Sequence, residues 1–176
     1  MIFFRHCDRR FPFLWESSAQ PGARWHAEGE GPVQYFADTP SGAWAEFLRH
    51  EGVQDEKDLE GIRRALWAVE VQLEALVVRE PTLDRAVLRG GPEAYPRCQV
   101  EARRLRTAGA QAIRAPSAAL KAGRAGGWVV NGGEREGAPR DGLVLALFVR
   151  QSECVGWPVV EAGAPPVRVL DRVRHL

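Results

Sequence analysis

Three residues in the first third of the chain have the types and order of a ligand-binding site. Arg24 lies in a glycine-flanked turn, Tyr35 in a short β-prone run, and Glu46 in the amphipathic helix that follows. A guanidinium suits bidentate recognition of a phosphate or carboxylate group. Because Glu46 lies between the apolar positions Ala43 and Phe47, its carboxylate points either to solvent or into a cleft. The segment therefore offers a cation, an aromatic ring and a carboxylate to one site.

The sequence lacks the standard catalytic and cofactor-binding signatures. It contains no GxGxxG between a strand and a helix, no GxxxxGK[ST], no HExxH and no GxSxG. The cysteines and histidines show no metal-ligand spacing, so we expect no metal site and no disulfide scaffold. Rossmann, P-loop, zinc-protease and elbow-type serine-hydrolase sites are excluded, and a catalytic site must be built from dispersed residues.

Length and composition predict one globular domain over residues 1–176. The 176 residues are 45% hydrophobic and 27% charged, with a formal net charge of +1, which excludes a disordered, coiled-coil or collagen-like chain. No segment has the apolar length of a membrane span, and the N-terminus lacks the apolar core of a signal peptide. We therefore expect a cytoplasmic protein.

Strands and helices of ordinary length must position the candidate residues. The patterns predict strands over residues 33–37, 66–73, 112–115, 143–150, 155–160 and 167–173. They predict helices over residues 40–51 and 97–108, the first with Thr39 as N-cap and Pro40 in its first turn, and each ended by a glycine. Residues 1–32 and 120–141 show no regular pattern. The sum is an α+β fold with mixed or antiparallel sheets and flanking helices.

Four sequence pieces, in order and with near-normal spacing, resemble the RES domain family. They read Gly22-Ala23-Arg24-Trp25-His26, Tyr35-Phe36-Ala37, Ala43-Trp44-Ala45-Glu46 and Ala115-Pro116-Ser117-Ala118. A downstream Asn of the family pattern corresponds to Asn131. His26 stands where the family has Asn, and a glycine-rich stretch over residues 123–142 replaces the usual segment there. The resemblance covers residues 1–150.

The resemblance implies an ADP-ribosyltransferase-like fold and a toxin that degrades NAD by breaking the nicotinamide–ribose bond. Water or phosphate would accept the ADP-ribose, so the class is hydrolase or glycosyltransferase. NAD is then a substrate, phosphate a possible co-substrate, and no cofactor is needed. Glu46 would stabilise an oxocarbenium-like state, Arg24 would bind phosphate, and Tyr35 would position the nicotinamide or ribose. Ser117, Asn131 and His26 would contact the substrate.

The same resemblance implies partners and leaves alternatives open. A Xre-type antitoxin is the expected partner, a homodimer is possible, and nucleic acid would be reached only through the antitoxin. If phosphate is the acceptor, Arg5 or Arg114 is the candidate second cation. One alternative is transfer of ADP-ribose to a protein or small molecule. A different class is a non-enzymatic module that binds a partner, or nucleic acid through the basic stretch over residues 79–124.

Overall fold

A seven-stranded mixed sheet forms the centre of the fold. The computed structural model describes residues 1–17, 19–149 and 154–176. The strands, in chain order, are β1 (Ile2–Asp8), β2 (Gln34–Ala37), β3 (Arg64–Glu70), β4 (Val78–Arg79), β5 (Ala112–Pro116), β6 (Trp128–Val130), β7 (Glu134–Glu136), β8 (Leu143–Leu147) and β9 (Gly156–Gly163). The α-helices are α1 (Pro40–His50), α2 (Arg85–Arg89) and α3 (Tyr95–Thr107). Short 3₁₀ turns cover Glu56–Leu59, Leu73–Ala75, Pro92–Ala94 and Val167–Arg172.

The strand order of the large sheet is β4-β5-β8-β2-β1-β3-β9, and β6 and β7 form a separate hairpin. All pairs in the large sheet are antiparallel except β4 with β5, which are parallel. The α+β class with a mixed sheet and flanking helices is therefore confirmed. β1 pairs with β3 along its whole length but with β2 only at Phe4 and Ala37. The sheet consequently splits between β1 and β2 beyond that pair.

The helices lie on one face of the sheet. Side chains alternate between the two faces of each strand, so Ala37 and Leu66 pack with α1, while Ile113 and Ala146 pack with α2 and α3. The opposite face carries a third apolar cluster that includes Phe36. Tyr35 is on the helix-covered face and packs against the α3 cluster. The order of elements thus puts the Tyr35 strand between α1 and α3.

Local signals account for α1, which carries Glu46. The Thr39 hydroxyl accepts a hydrogen bond from the Gly42 N–H at 3.0 Å, Pro40 fills the first position, and the chain leaves the helix through Gly52 at a φ of 67°. Such a φ favours glycine because a Cβ would crowd the backbone. The predictions of α1, α3, β2 and β5 are confirmed.

Three predictions from the pattern are wrong. The first 32 residues are not all irregular, since Ile2–Asp8 form β1, and residues 120–141 are not all irregular, since β6 and β7 pair there. The predicted strand over residues 167–173 is instead the 3₁₀ turn Val167–Arg172. The β8 strand ends at Leu147, and the last predicted residue of that strand, Arg150, lies outside the described residues. β1 is held by hydrogen bonds to β3, a long-range partner that a local pattern cannot show.

Candidate active site

A tight turn presents Arg24. The Ala23 N–H donates to the His26 carbonyl at 2.9 Å, which closes the turn with Arg24 at its tip. On α3, the Gln99 side-chain amide donates to the carbonyls of Ala23 at 2.9 Å and His26 at 3.2 Å. The turn is thus fixed against α3, and this fixes the position of the backbone from which the Arg24 side chain extends.

The carbonyl of Gly90, just after α2, joins two guanidiniums. It accepts hydrogen bonds from Arg24 Nη2 at 2.6 Å and from Arg49 Nη2 at 2.9 Å. Arg24 also donates to the Val87 carbonyl at 3.3 Å, and its guanidinium lies 5.0 Å from the centroid of the Tyr95 ring. These acceptors are neutral. Both positive charges therefore remain available to an anion, and burial together with the neighbouring Arg24 charge lowers the pKa of Arg49.

Glu46 is held by Ser117. The Ser117 hydroxyl donates to Glu46 Oε1 at 2.9 Å and accepts from the N–H groups of Ala119 at 3.2 Å and Leu120 at 3.1 Å. Burial raises the pKa of the Glu46 carboxyl, while the Ser117 hydrogen bond and the charges of Arg24 and Arg49 oppose that rise. The carboxyl group is thus oriented and desolvated, yet balanced by two nearby cations.

The hydroxyl of Tyr35 is occupied by the protein. It accepts from the Trp25 N–H at 3.1 Å and lies 2.9 Å from His26 Nδ1. His26 Nε2 lies 3.0 Å from the Pro21 carbonyl, which can only accept, so Nε2 carries the proton and Nδ1 of the neutral ring accepts from Tyr35. Burial lowers the pKa of His26 and raises that of Tyr35, which keeps both groups neutral. Tyr35 therefore offers its ring, and not its hydroxyl, to a ligand.

One cavity of about 610 Å³ connects these groups. Arg24, Tyr35, Glu46 and Arg49 line it on the helix-covered face, together with Tyr95. It extends along the split between β1 and β2, where consecutive residues of β1 reach it, because the edge of β1 that faces β2 is unpaired there. Its size is within the range of small-molecule sites.

Two further guanidiniums line the cavity along β1. Arg5 and Arg64 flank His6, whose Nδ1 accepts from Arg64 Nη2 at 3.3 Å. Burial and the two neighbouring charges lower the pKa of His6 to about 3, so the ring is neutral. Burial also lowers the pKa of Arg5 to about 10. Within the described residues neither guanidinium forms an ion pair, and the Nε atoms of both are buried without a hydrogen-bond partner. This part of the cavity is prepared for an anion.

The family to which this chain belongs follows from its match to a family model. The family model of the RES domain matches residues 3–146, which is most of the chain. The chain belongs to the RES domain family. The match includes Arg24, Tyr35, Glu46 and Ser117, the residues on which the sequence resemblance rests.

Solved structures support the fold of this RES domain. A chain from the crystal structure of the MbcT–MbcA toxin–antitoxin complex of M. tuberculosis superimposes with a TM-score of 0.60 at 16% sequence identity. The alignment covers 91% of this chain and 84% of the other. No curated protein matches the sequence. The shared fold is consistent with the ADP-ribosyltransferase-like class that the resemblance implies.

The structure brings together three of the six predicted site residues of the RES domain at the cavity wall, namely Arg24, Tyr35 and Glu46. Ser117 lies directly behind Glu46. Its single proton is donated to Glu46 in this structure, and its predicted contact with the substrate stays a prediction. His26 is fully buried behind Tyr35 and does not line the cavity. Asn131 lies at the exposed turn between β6 and β7, also away from the cavity, because the glycine-rich stretch folds into its own hairpin.

Sequence reasoning missed several residues of the site. Arg49 could have been found, because it follows Glu46 by one helical turn and therefore shares its face. Tyr95 and Arg64 carry no local signal, since only tertiary packing brings them to the cavity. Of the two candidate second cations, Arg5 lines the cavity, whereas Arg114 forms an ion pair with Glu80 at 2.7 Å beside a different, open depression.

Two further features of the described residues bear on function. No group of three or more His, Cys, Asp or Glu side chains in this part of the chain is arranged to hold a metal ion. None of the helices described here combines the length and apolar character that crossing a bilayer requires.

Proposed function

We propose that this RES domain is an NAD-consuming toxin that cleaves the bond between nicotinamide and ribose. The observation that carries the proposal is the Glu46 carboxyl, which Ser117 orients at the cavity wall beside Arg24 and Arg49. A desolvated, oriented carboxylate is suited to a developing positive charge, because its field is strong where water is excluded. The proposal rests on this geometry together with the family membership.

The proposed reaction needs no acid to expel the leaving group. As the glycosidic C–N bond breaks, its electron pair goes to the nicotinamide nitrogen, which turns from cationic to neutral. Positive charge then develops on the ribose ring in an oxocarbenium-like state, and the Glu46 carboxylate stabilises it. The aromatic rings of Tyr35 and Tyr95 line the same wall and can hold the departing ring and the ribose in an attack-ready position.

The arrangement of cations favours phosphate as the acceptor. Arg24 and Arg49 share an acceptor near Glu46 and offer one anion position, and Arg5 offers a second position along β1. NAD has a single diphosphate, which we assign to Arg5. Arg24 and Arg49 would then hold inorganic phosphate, whose oxygen bonds to the ribose carbon that nicotinamide leaves. The product of this step is ADP-ribose-1″-phosphate, whereas attack by water would give ADP-ribose.

An antitoxin is the proposed partner. The solved structure of similar fold is that of a toxin–antitoxin complex. We infer that an antitoxin of the Xre type covers the cavity of this chain, that any contact with nucleic acid is made through that antitoxin, and that the toxin can form a homodimer. Co-purification of the chain with the protein encoded beside it, followed by mass measurement of the complex, tests this part of the proposal.

Analysis of NAD products tests the reaction. Purified protein free of antitoxin is incubated with NAD in buffers with and without phosphate, and the products are identified by mass. We expect nicotinamide together with ADP-ribose-1″-phosphate in phosphate buffer, and much slower loss of NAD without phosphate. ADP-ribose as the main product in both buffers would replace phosphorolysis with hydrolysis, and intact NAD in both would contradict the proposed function.

A further inference from the structure

A stacked aromatic pair stands at the opening of the cavity. The ring centroids of Phe11 and Trp15 are 4.7 Å apart with an interplanar angle of 26°, and both residues line the cavity. Phe11 is 43% and Trp15 49% exposed. The guanidinium of Arg10 lies 5.9 Å from the centroid of the Phe11 ring, so the face of Trp15 that points away from Phe11 is the face left for a ligand.

A second pair on the same segment shows what a structural role looks like. Phe13 stacks on Trp67 with nearly the same geometry, at 4.8 Å and 26°. That pair is half-buried and belongs to the apolar cluster on the sheet face opposite the helices. The Phe13 ring also packs so closely on Gly156 that a Cβ there would lie 2.7 Å from it. Phe13 is therefore used by the core, whereas Phe11 and Trp15 are left at the cavity.

Backbone contacts hold the exposed pair in place. The Phe11 N–H donates to the Asp8 carbonyl at 3.0 Å, and the Trp15 N–H donates to the Pro12 carbonyl at 3.1 Å. The Gln34 side-chain amide of β2 donates to the Trp15 carbonyl at 3.3 Å. The two rings are thus tied to both strands that border the split, and a ligand would find the platform already formed.

We propose that Phe11 and Trp15 form a stacking platform for a purine base, which in the proposed function is the adenine of NAD. The inference rests on that function for the identity of the ligand. Since the scissile bond must lie at Glu46, the nicotinamide ring occupies that end, and the second ring of a dinucleotide must lie elsewhere. The residues of β1 between the two ends include Arg5, and the strand runs about 10 Å from Arg5 to Asp8, where the aromatic segment begins. A diphosphate on Arg5 therefore places the adenosine half toward the platform.

Binding of the two halves of the substrate tests the platform. ADP contains the base and the diphosphate, and nicotinamide mononucleotide contains the other ring and one phosphate. Affinities of both are measured by calorimetry for the wild type and for Trp15→Ala, Trp15→Phe and Phe11→Ala. The control is Trp128→Ala, because Trp128 is 50% exposed but lies on the β6–β7 hairpin away from the cavity.

We expect Trp15→Ala to weaken ADP binding about tenfold, the scale seen when a base-stacking aromatic is removed. Trp15→Phe should stay within about twofold because a ring remains, and Trp128→Ala should match the wild type. Affinity for nicotinamide mononucleotide should be unchanged throughout. An ADP affinity that is equal in the wild type and Trp15→Ala, no ADP binding by the wild type, or an equal loss for both ligands would overturn the inference.

Cleavage of NAD by the same preparations separates this inference from the proposed function. If the wild type degrades NAD and Trp15→Ala does so with unchanged KM, the platform is wrong and the function stands. If ADP binding depends on Trp15 but NAD stays intact, the purine platform stands and the proposed reaction is wrong.

Discussion

The charged side chains at the two ends of the cavity differ in how firmly the protein itself holds them. At the Glu46 end, the carboxyl group and both guanidiniums are tied to Ser117 and to backbone carbonyls, so their positions are set before any ligand binds. Along β1, Arg5 is half-buried and donates to the Tyr35 carbonyl only at a long 3.4 Å, its Nε atom has no partner, and within the described residues it meets no carboxylate. The groups at the Glu46 end are therefore held in fixed positions, as catalysis requires. Along β1, the Arg5 guanidinium is partly desolvated and weakly partnered, so a bound anion would supply the interaction that it lacks.

Among the changes considered at the two ends of the cavity, removal of the Arg5 guanidinium should weaken NAD binding the most. We expect Arg5→Met to raise the KM for NAD about 10- to 100-fold, since hydrogen bonds to charged groups contribute about 1.5–3 kcal/mol, with kcat nearly unchanged. Steady-state kinetics measure both constants. Arg9→Met is the control, because Arg9 is exposed just after β1 and does not line the cavity. A fall in kcat with unchanged KM would contradict the assignment of Arg5 to substrate binding.

Removal of the Ser117 hydroxyl should affect kcat instead of KM. We expect Ser117→Ala to lower kcat about tenfold at neutral pH, because Glu46 loses the hydrogen bond that orients it and opposes the rise of its pKa. The acidic limb of the pH–rate profile should move to higher pH, since the carboxylate is lost as pH falls through a pKa that is now higher. Ser117→Thr retains the hydroxyl and should restore the profile. An unshifted limb in Ser117→Ala would exclude Ser117 as the partner that tunes Glu46.

The Glu46 end of the cavity can be predicted from the sequence better than the part along β1. The reason is that local interactions determine the first, whereas pairing between distant strands determines the second. α1 could be predicted because Thr39, Pro40 and Gly52 are local signals, and with α1 come Glu46 and, one turn on, Arg49. Cavity residues on strands depend on pairing partners far along the chain. β1 looks irregular because polar residues interrupt its alternation, and Arg64 reaches the cavity through the register of β3 against β1.

The predicted roles of the remaining residues depended on hydrogen-bond direction, which no sequence pattern carries. The resemblance predicts substrate contacts for Ser117 and His26, whereas the structure directs their polar atoms at Glu46 and Tyr35. The resemblance places Asn131 in the site across a glycine-rich stretch, where this chain forms a hairpin of its own.

The Tyr35 hydroxyl should contribute to stability more than to catalysis. We expect Tyr35→Phe to change the KM and kcat for NAD less than about twofold, because the ring remains and the hydroxyl is already bonded to Trp25 and His26. The free energy of unfolding should fall by about 1–3 kcal/mol, since both of those buried groups lose a partner. Thermal or urea unfolding alongside kinetics measures this. A large loss of kcat with unchanged stability would show that the hydroxyl acts on the substrate.

The smallest expected effect is that of Glu46→Gln on stability. The raised pKa of Glu46 means that folding favours the neutral carboxyl, a contribution present below the ordinary carboxyl pKa and lost as pH rises through the folded-state pKa. Gln resembles the neutral form and can still accept from Ser117. We therefore expect unfolding of the variant at pH 7 to cost the same as in the wild type or up to about 1 kcal/mol more. Clear destabilisation would show that the ionised group supports the fold.

The most direct test of the account is nicotinamide release from NAD by the wild type and Glu46→Gln, followed side by side in phosphate buffer at pH 7. Glu51→Gln is the matched control, because Glu51 is exposed at the end of the same helix. ADP binding to every variant confirms that the cavity is intact. We predict that Glu46→Gln lowers kcat by about 10³-fold, the scale expected when a preorganised charge is removed from a developing one, and that Glu51→Gln leaves it unchanged. Equal rates in Glu46→Gln and the wild type would contradict the account, because the bond would then break without the carboxylate.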